Sequence, residues 1–135
     1  MKYLLDTNIC IYIMKQRPES VLQRFRVMNQ KDLGLSIVTV AELEYGVAKS
    51  QNPPLNRSRL DNFRRPFQVV GLSDEDVRVF GEIRADLEQR GTPIGAYDLL
   101  IAAQAKSRDL VLVTNNMRER VSGLSWRCLK SVDGA

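Results

Sequence analysis

The 135-residue sequence contains no histidine. That excludes Ser-His-Asp and Cys-His nucleophile pairs, histidine-ligated zinc, and ribonuclease chemistry run by two imidazoles. Cysteine is nearly as scarce. Cys10 and Cys128 make neither a metal-binding pair nor a disulfide framework, and each is expected to be a small buried hydrophobe in a reducing cytoplasm. No apolar run approaches the ~18 residues that cross a bilayer. The apolar stretch at Tyr3-Leu4-Leu5 is cut short by Asp6, too soon for the core of a signal peptide, so no membrane association is expected. Hydrolytic chemistry in this chain has to rest on carboxylates, with or without a metal ion.

What is present is an ordinary globular composition, 44% hydrophobic and 27% charged, with 20 Lys+Arg against 16 Asp+Glu for a net charge of +4. The length suits one domain over residues 1–135, large enough to bury roughly two thirds of its unfolded surface without staples. The pattern alternates strands and helices. Residues 2–5 predict a buried strand stopped by Asp6, with Thr7 or Asn8 capping a helix over 9–15. A second helix is expected over 18–28, a strand over 33–38 and a helix over 39–49 with Val40, Leu43 and Val47 at helical spacing. Residues 50–54 read as a loop, 56–65 as an arginine-rich segment and 67–72 as a strand. Ser73 and Asp76 form a capping box for a helix ending at Arg90-Gly91, whose apolar stripe is Val77, Phe80, Ile83 and Leu87. A further helix starts near Tyr97-Asp98, the nearly all-apolar run 110–114 predicts a strand covered on both faces, and 125–129 an edge strand. The expected class is α/β, a mainly parallel sheet flanked by helices.

Open parallel sheets bind ligands beyond the carboxyl ends of their strands. Asp6 follows the first strand, and Asn115 and Asn116 follow the strand over 110–114. Glu42 lies one turn into a helix that directly follows a strand, Asp98 opens an apolar helix, and Glu119 lies just past the last core strand. Two carboxylates ~4 Å apart repel by about 4 kcal/mol at an effective dielectric near ~20, so a cluster of these acids calls for a counter-charge. Oxygen ligands alone favour Mg²⁺ or Mn²⁺. A basic chain around such a pocket has the electrostatics of a metal-dependent nuclease. Each acid also has a purely structural account: Asp6 as an N-cap, Glu42 as a solvated helix acid like Glu44, Asp98 as a partner of the helix dipole, and Glu119 as a surface charge between Arg118 and Arg120.

Four blocks in order, LLDTN (4–8), TVAELEYG (39–46), PIGAYDLLIAAQA (93–105) and VTNN (113–116), resemble the PIN-domain endoribonuclease toxins of the VapC type, in particular the enteric-type group. The resemblance spans nearly the whole chain and implies a PIN-like three-layer sandwich. It makes Asp6, Glu42 and Asp98 the core metal-binding acids, with Glu119 completing the site where many relatives carry an Asp at the position of Asn116. Thr7 and Thr114 match hydroxyls that support those acids, beside Asn8 and Asn115. It further implies Mg²⁺- or Mn²⁺-dependent hydrolysis of RNA, with initiator tRNA cut in the anticodon stem-loop, a cytoplasmic location, a homodimer, and a cognate VapB-type antitoxin whose C-terminal segment enters the catalytic groove. Two residues that relatives carry after Glu119, one of them aromatic, are missing here, which motivates a second reading as a catalytically weakened RNA-binding or antitoxin-sequestering relative. A third reading, an aspartyl-phosphate domain using Asp6 as nucleophile, lacks an obvious lysine at the final strand.

Arg57, Arg59, Arg64 and Arg65 form the densest basic segment. If several arginines meet RNA phosphates, binding weakens steeply with salt. Tyr3, Tyr12, Tyr45 and Tyr97 are too scattered in sequence to predict a stacking platform, and Tyr45 is expected to pack inside. Ile11, Tyr12 and Phe25 face either the core or a partner.

Overall fold

The computed structural model describes residues 1–17 and 19–114. Four strands, β1 (Tyr3–Leu5), β2 (Leu33–Ser36), β3 (Gln68–Val70) and β4 (Val111–Val113), form a sheet in the order β3-β2-β1-β4. All three pairings are parallel, with Tyr3 opposite Leu33 on one side and Val111 on the other. The helices are α1 (Thr7–Lys15), α2 (Glu19–Arg26), α3 (Ile37–Lys49), α4 (Pro53–Arg64), α5 (Asp74–Gln89) and α6 (Ala96–Ser107). A 3₁₀ turn at Gln30–Asp32 leads into β2.

Alternation along the strands sets the layers. Leu5, Leu33, Leu35 and Val113 pack with Ile9, Val21, Val40 and Leu60, residues of α1 to α4. Leu4, Val70 and Leu112 pack instead with Ile101, Ala102 and Ala105 of α6. The small side chains of α6 continue outward, where Leu99 and Ala103 receive Ile83 and Leu87 of α5. Cys10 is fully buried, and burial pushes its thiol well above the ordinary range, as expected of an inert core cysteine.

Several boundaries move for identifiable reasons. Asp6, rather than Thr7 or Asn8, caps α1 by accepting the Ile9 amide at 2.8 Å. The strand expected over 33–38 stops at Ser36, whose hydroxyl accepts the Val38 amide and starts α3 two residues early. The arginine-rich segment is a full helix: Asn52 caps it, and Pro53 and Pro54 occupy first-turn positions where a missing N–H costs nothing. The capping box of Ser73 and Asp76 forms as expected, but Val77 is exposed rather than part of the buried stripe. Ile11, Tyr12 and Phe25 pack, partly buried, on the core. Pro18, Asn115, Asn116, Glu119, Cys128 and the strand expected over 125–129 lie outside the described residues.

Because the strands are parallel, the segments leaving β1, β2 and β4 lie along one edge of the sheet. Asp6 sits at the end of β1, α3 begins after β2, and Thr114 ends β4. The Asp6 amide donates to the Val113 carbonyl at 3.1 Å, joining two of these ends directly.

Candidate active site

Asp6 is held in the turn between β1 and α1 by two hydrogen bonds to its side chain. The Ile9 amide donates to Oδ1, and the Thr114 hydroxyl bonds the same carboxylate from the end of β4. Both favour the charged form, yet burial prevails and raises the carboxyl from 3.8 to about 6. The negative charges of Asp98 and Glu42 add to the rise, so both acids lie near enough to be felt at Asp6.

Glu42 reaches this edge through α1. The Thr7 hydroxyl donates to Glu42 Oε1 at 2.7 Å, with Thr39 Oγ1 3.4 Å from the same hydroxyl. The neighbour Glu44 points elsewhere, pairing with Arg57 of α4 at 2.5 Å. Two residues apart on one helix, the two glutamates do different work. Asp98 lies in the first turn of α6, whose N-cap Gly95 supplies no side-chain acceptor; a Cβ on Gly95 would stand 3.6 Å from Asp98 Oδ2. Its carboxylate thus sits over an uncapped helix N-terminus, which stabilises negative charge.

Asp6, Glu42 and Asp98 are therefore brought to a common edge, with Thr7 and Thr114 bonded to two of them. Among the described residues, no three His, Cys, Asp or Glu side chains lie close enough together to enclose one ion. The donors are carboxylate and hydroxyl oxygens, a set that suits a hard divalent cation such as Mg²⁺ or Mn²⁺ and not a thiophilic one.

The electrostatic cost of Asp6 makes a prediction. As pH rises above the ordinary value the unfolded chain ionises first, so Asp6 increasingly destabilises the fold until about pH 6. Above that the full penalty, on the order of 3 kcal/mol by linkage, is in force. Asp6→Asn keeps the acceptor for the Ile9 amide but removes the charge. In EDTA at neutral pH the variant should melt higher than the native chain, with the gap closing towards about pH 4; a lower Tm at neutral pH contradicts the assignment.

A cleft of about 790 Å³ opens beside Glu42 and Thr7, walled by α1, α3 and α6. Tyr45 and Tyr97 both line it and are 65% and 62% exposed, so Tyr45 does not pack inside as its sequence position suggested. Tyr45, Gly46 and Lys49 fall three, four and seven residues after Glu42 on α3, the spacing of one helical face. That spacing was the available signal for grouping them.

A family model described as PIN domain matches residues 3 to 122. The tRNA(fMet)-specific endonuclease VapC of Shigella flexneri is 44% identical over 126 residues, covering 92% of this chain and 95% of that protein. Ribonuclease VapC2 of Rickettsia felis is 39% identical over 120 residues, covering 88% of this chain and 90% of that one. The crystal structure of DNA-bound VapBC from Salmonella typhimurium matches with a TM-score of 0.87 at 39% identity, covering 96% of this chain and 98% of that one. With a parallel sheet, an oxygen-only acidic edge and these likenesses together, the chain belongs to the PIN-domain family, as a ribonuclease toxin of the VapC type.

Proposed function

We propose that this chain cleaves initiator tRNA in a reaction dependent on Mg²⁺ or Mn²⁺, blocking translation in the cytoplasm, and that a VapB-type antitoxin restrains it. The observation that carries the reading is the state of Asp6. A carboxylate buried next to two other acids is costly to fold, and a divalent cation would offset that cost. Asp6, Glu42 and Asp98, which share one edge without enclosing a site as they are placed, would have to draw together around the ion, with Glu119 as the fourth acid. A cation bound by such acids supplies Lewis acidity to a water molecule and to the phosphate oxygens.

The protein groups have separable tasks. Thr7 fixes one oxygen of Glu42, leaving the other available as a ligand. Thr114 and the Ile9 amide hold Asp6 in a single orientation and favour its ionised form against burial. Asp98 is carried into the site by the first turn of α6. With no histidine in the chain, no imidazole takes part in the proton transfers. Products with a 5′-phosphate and a 3′-hydroxyl are expected from attack by water.

Support for the substrate comes from the Shigella flexneri and Salmonella typhimurium relatives, both described as tRNA(fMet)-specific and 44% and 40% identical to this chain. Support for the antitoxin comes from the toxin–antitoxin complexes among the solved relatives. A homodimer is proposed on the same family ground, to be read by light scattering. The test is cleavage of initiator tRNA and elongator methionine tRNA side by side. The purified chain should cut only the former, with Mg²⁺ or Mn²⁺, and stop on addition of EDTA. Equal cutting of both tRNAs would sink the substrate, and cutting that persists in EDTA would sink the metal.

A further inference from the structure

We infer that Thr39 is a positioning residue for the acid Glu42, acting through the Thr7 hydroxyl that lies between them. This rests on the metal-dependent reading above and adds to it the group that steers Glu42 towards the ion.

Proton counting carries the argument. A threonine hydroxyl has one hydrogen to give and two lone pairs to receive with. Thr7 lies 2.7 Å from Glu42 Oε1, a short contact to a carboxylate, so its hydrogen is committed there. The other contact of the same oxygen, to Thr39 Oγ1 at 3.4 Å, can then be closed only by the hydrogen of Thr39. The order of donation is Thr39 to Thr7 to Glu42, and each bond in such a chain strengthens the next. At 3.4 Å the first link is long, so it steers the Thr7 hydroxyl rather than clamping it, and the expected effect is modest.

Burial leaves the Thr39 hydroxyl few other accounts. The residue is fully buried between Val38 and Val40, both buried and apolar. A hydroxyl in such a place loses its water and needs a protein partner, whereas valine would fill the same space and need none. Helical threonines often turn the hydroxyl to a carbonyl one turn back. Here, among the described residues, the side-chain partner is Thr7 of another helix. Thr39 and Glu42 are three residues apart and share a face of α3, while Thr7 opens α1. One helix therefore presents a hydroxyl and a carboxylate to a single hydroxyl of the other. Since the acids have to draw together, a carboxylate already held by one oxygen loses less freedom when the other binds.

The test is a double-mutant cycle read as Mn²⁺ affinity of the full chain without RNA, from the enhancement of water proton relaxation. Thr39→Val should weaken Mn²⁺ binding about fivefold, and Thr39→Ala, which leaves no methyl in place of the hydroxyl, should do the same. Thr39→Ser keeps the donor and should stay near the native Kd. Thr7→Val should weaken binding further than either, and adding Thr39→Val to it should change nothing more, because the link is already gone. Tm in EDTA is followed for every variant. Unchanged Kd in Thr39→Val and Thr39→Ala overturns the inference. Equal weakening in Thr39→Ser does so too, since packing and not the hydroxyl would then matter. A double variant whose fold-loss is the product of the two single losses also overturns it, because Thr39 would then act independently of Thr7. Native chain that binds no Mn²⁺ removes the metal reading and this role with it. Native binding that Thr39→Val fully retains removes the role of Thr39 alone.

Discussion

Replacing Asp98 with alanine should abolish RNA cleavage, lowering turnover by about 10³-fold or more, while Tm should fall by only a few degrees. The two effects separate because Asp98 has one structural task and one chemical task of very different size. As a first-turn acid on a helix with no side-chain cap, it contributes about 0.3–1 kcal/mol to α6 through the macrodipole. As a member of the acidic edge, its charge is felt at Asp6 and is part of what would hold a cation in place. Asp98→Asn keeps the shape and should fail in the same way, because a neutral amide is a weaker ligand. If either variant cuts initiator tRNA at the native rate with Tm slightly lowered, the acid serves the helix alone. The metal assignment is then wrong.

Asp76→Ala should destabilise the fold by about 2–3 kcal/mol, the usual cost of leaving buried hydrogen-bonding groups without a charged partner, read as a fall in Tm. Asp76 is 1% exposed and satisfied on every side. Its Oδ2 accepts the Ser73 amide at 2.9 Å and Arg108 Nη2 at 2.9 Å, and the Ser107 hydroxyl donates to Oδ1. Arg108 also donates to the Gly71 carbonyl at 2.9 Å, and Gln104 Nε2 to the same carbonyl at 3.0 Å. The cluster therefore ties the C-terminal end of α6 to the turn between β3 and α5. Removing the carboxylate leaves the Ser73 amide without its side-chain acceptor and Arg108 with the Gly71 carbonyl alone.

The same group sets a pH dependence. Burial alone would raise the Asp76 carboxyl, but the hydrogen bonds from Arg108, Ser107 and Ser73 outweigh it and bring the value down to about 2. A carboxyl lower in the folded than in the unfolded chain stabilises the fold above about pH 4, and that stabilisation is lost as pH falls towards 2. Asp76→Asn should accordingly flatten the acid side of the stability curve, read as Tm between about pH 5 and pH 2. An unchanged acid limb would mean that Asp76 does not carry it. Asp6 and Asp76 thus pull in opposite directions, one carboxylate costing stability near the chemistry and one supplying it far away.

Much of the architecture was legible because local signals agreed with one another. The run over 110–114 is apolar on both faces, as a strand covered on both sides requires, and β4 gives Val113 to one packed layer and Leu112 to the other. The capping box at Ser73 and Asp76 is a contact three residues long, so sequence contains all of it. The helix α4 was hidden by two prolines and four arginines in a short stretch, although prolines in a first turn and exposed arginines are both compatible with helix. The start of α3 was misplaced because Ile37 and Val38 favour strands, whereas the Ser36 cap decides in favour of helix.

By itself, the sequence determined the chemistry available. Without histidine and with acids placed after strands, hydrolysis had to rest on carboxylates, with or without a metal ion held by their oxygens. Only the tertiary structure decided which side chains meet. Thr7 bonds Glu42 across 35 positions, Arg108 finds Asp76 across 32, and Tyr45 and Tyr97 face one cleft from two helices. Residue type is a local property and fixes what a group can do; burial, field and neighbourhood arise when distant segments pack, and they fix what it does.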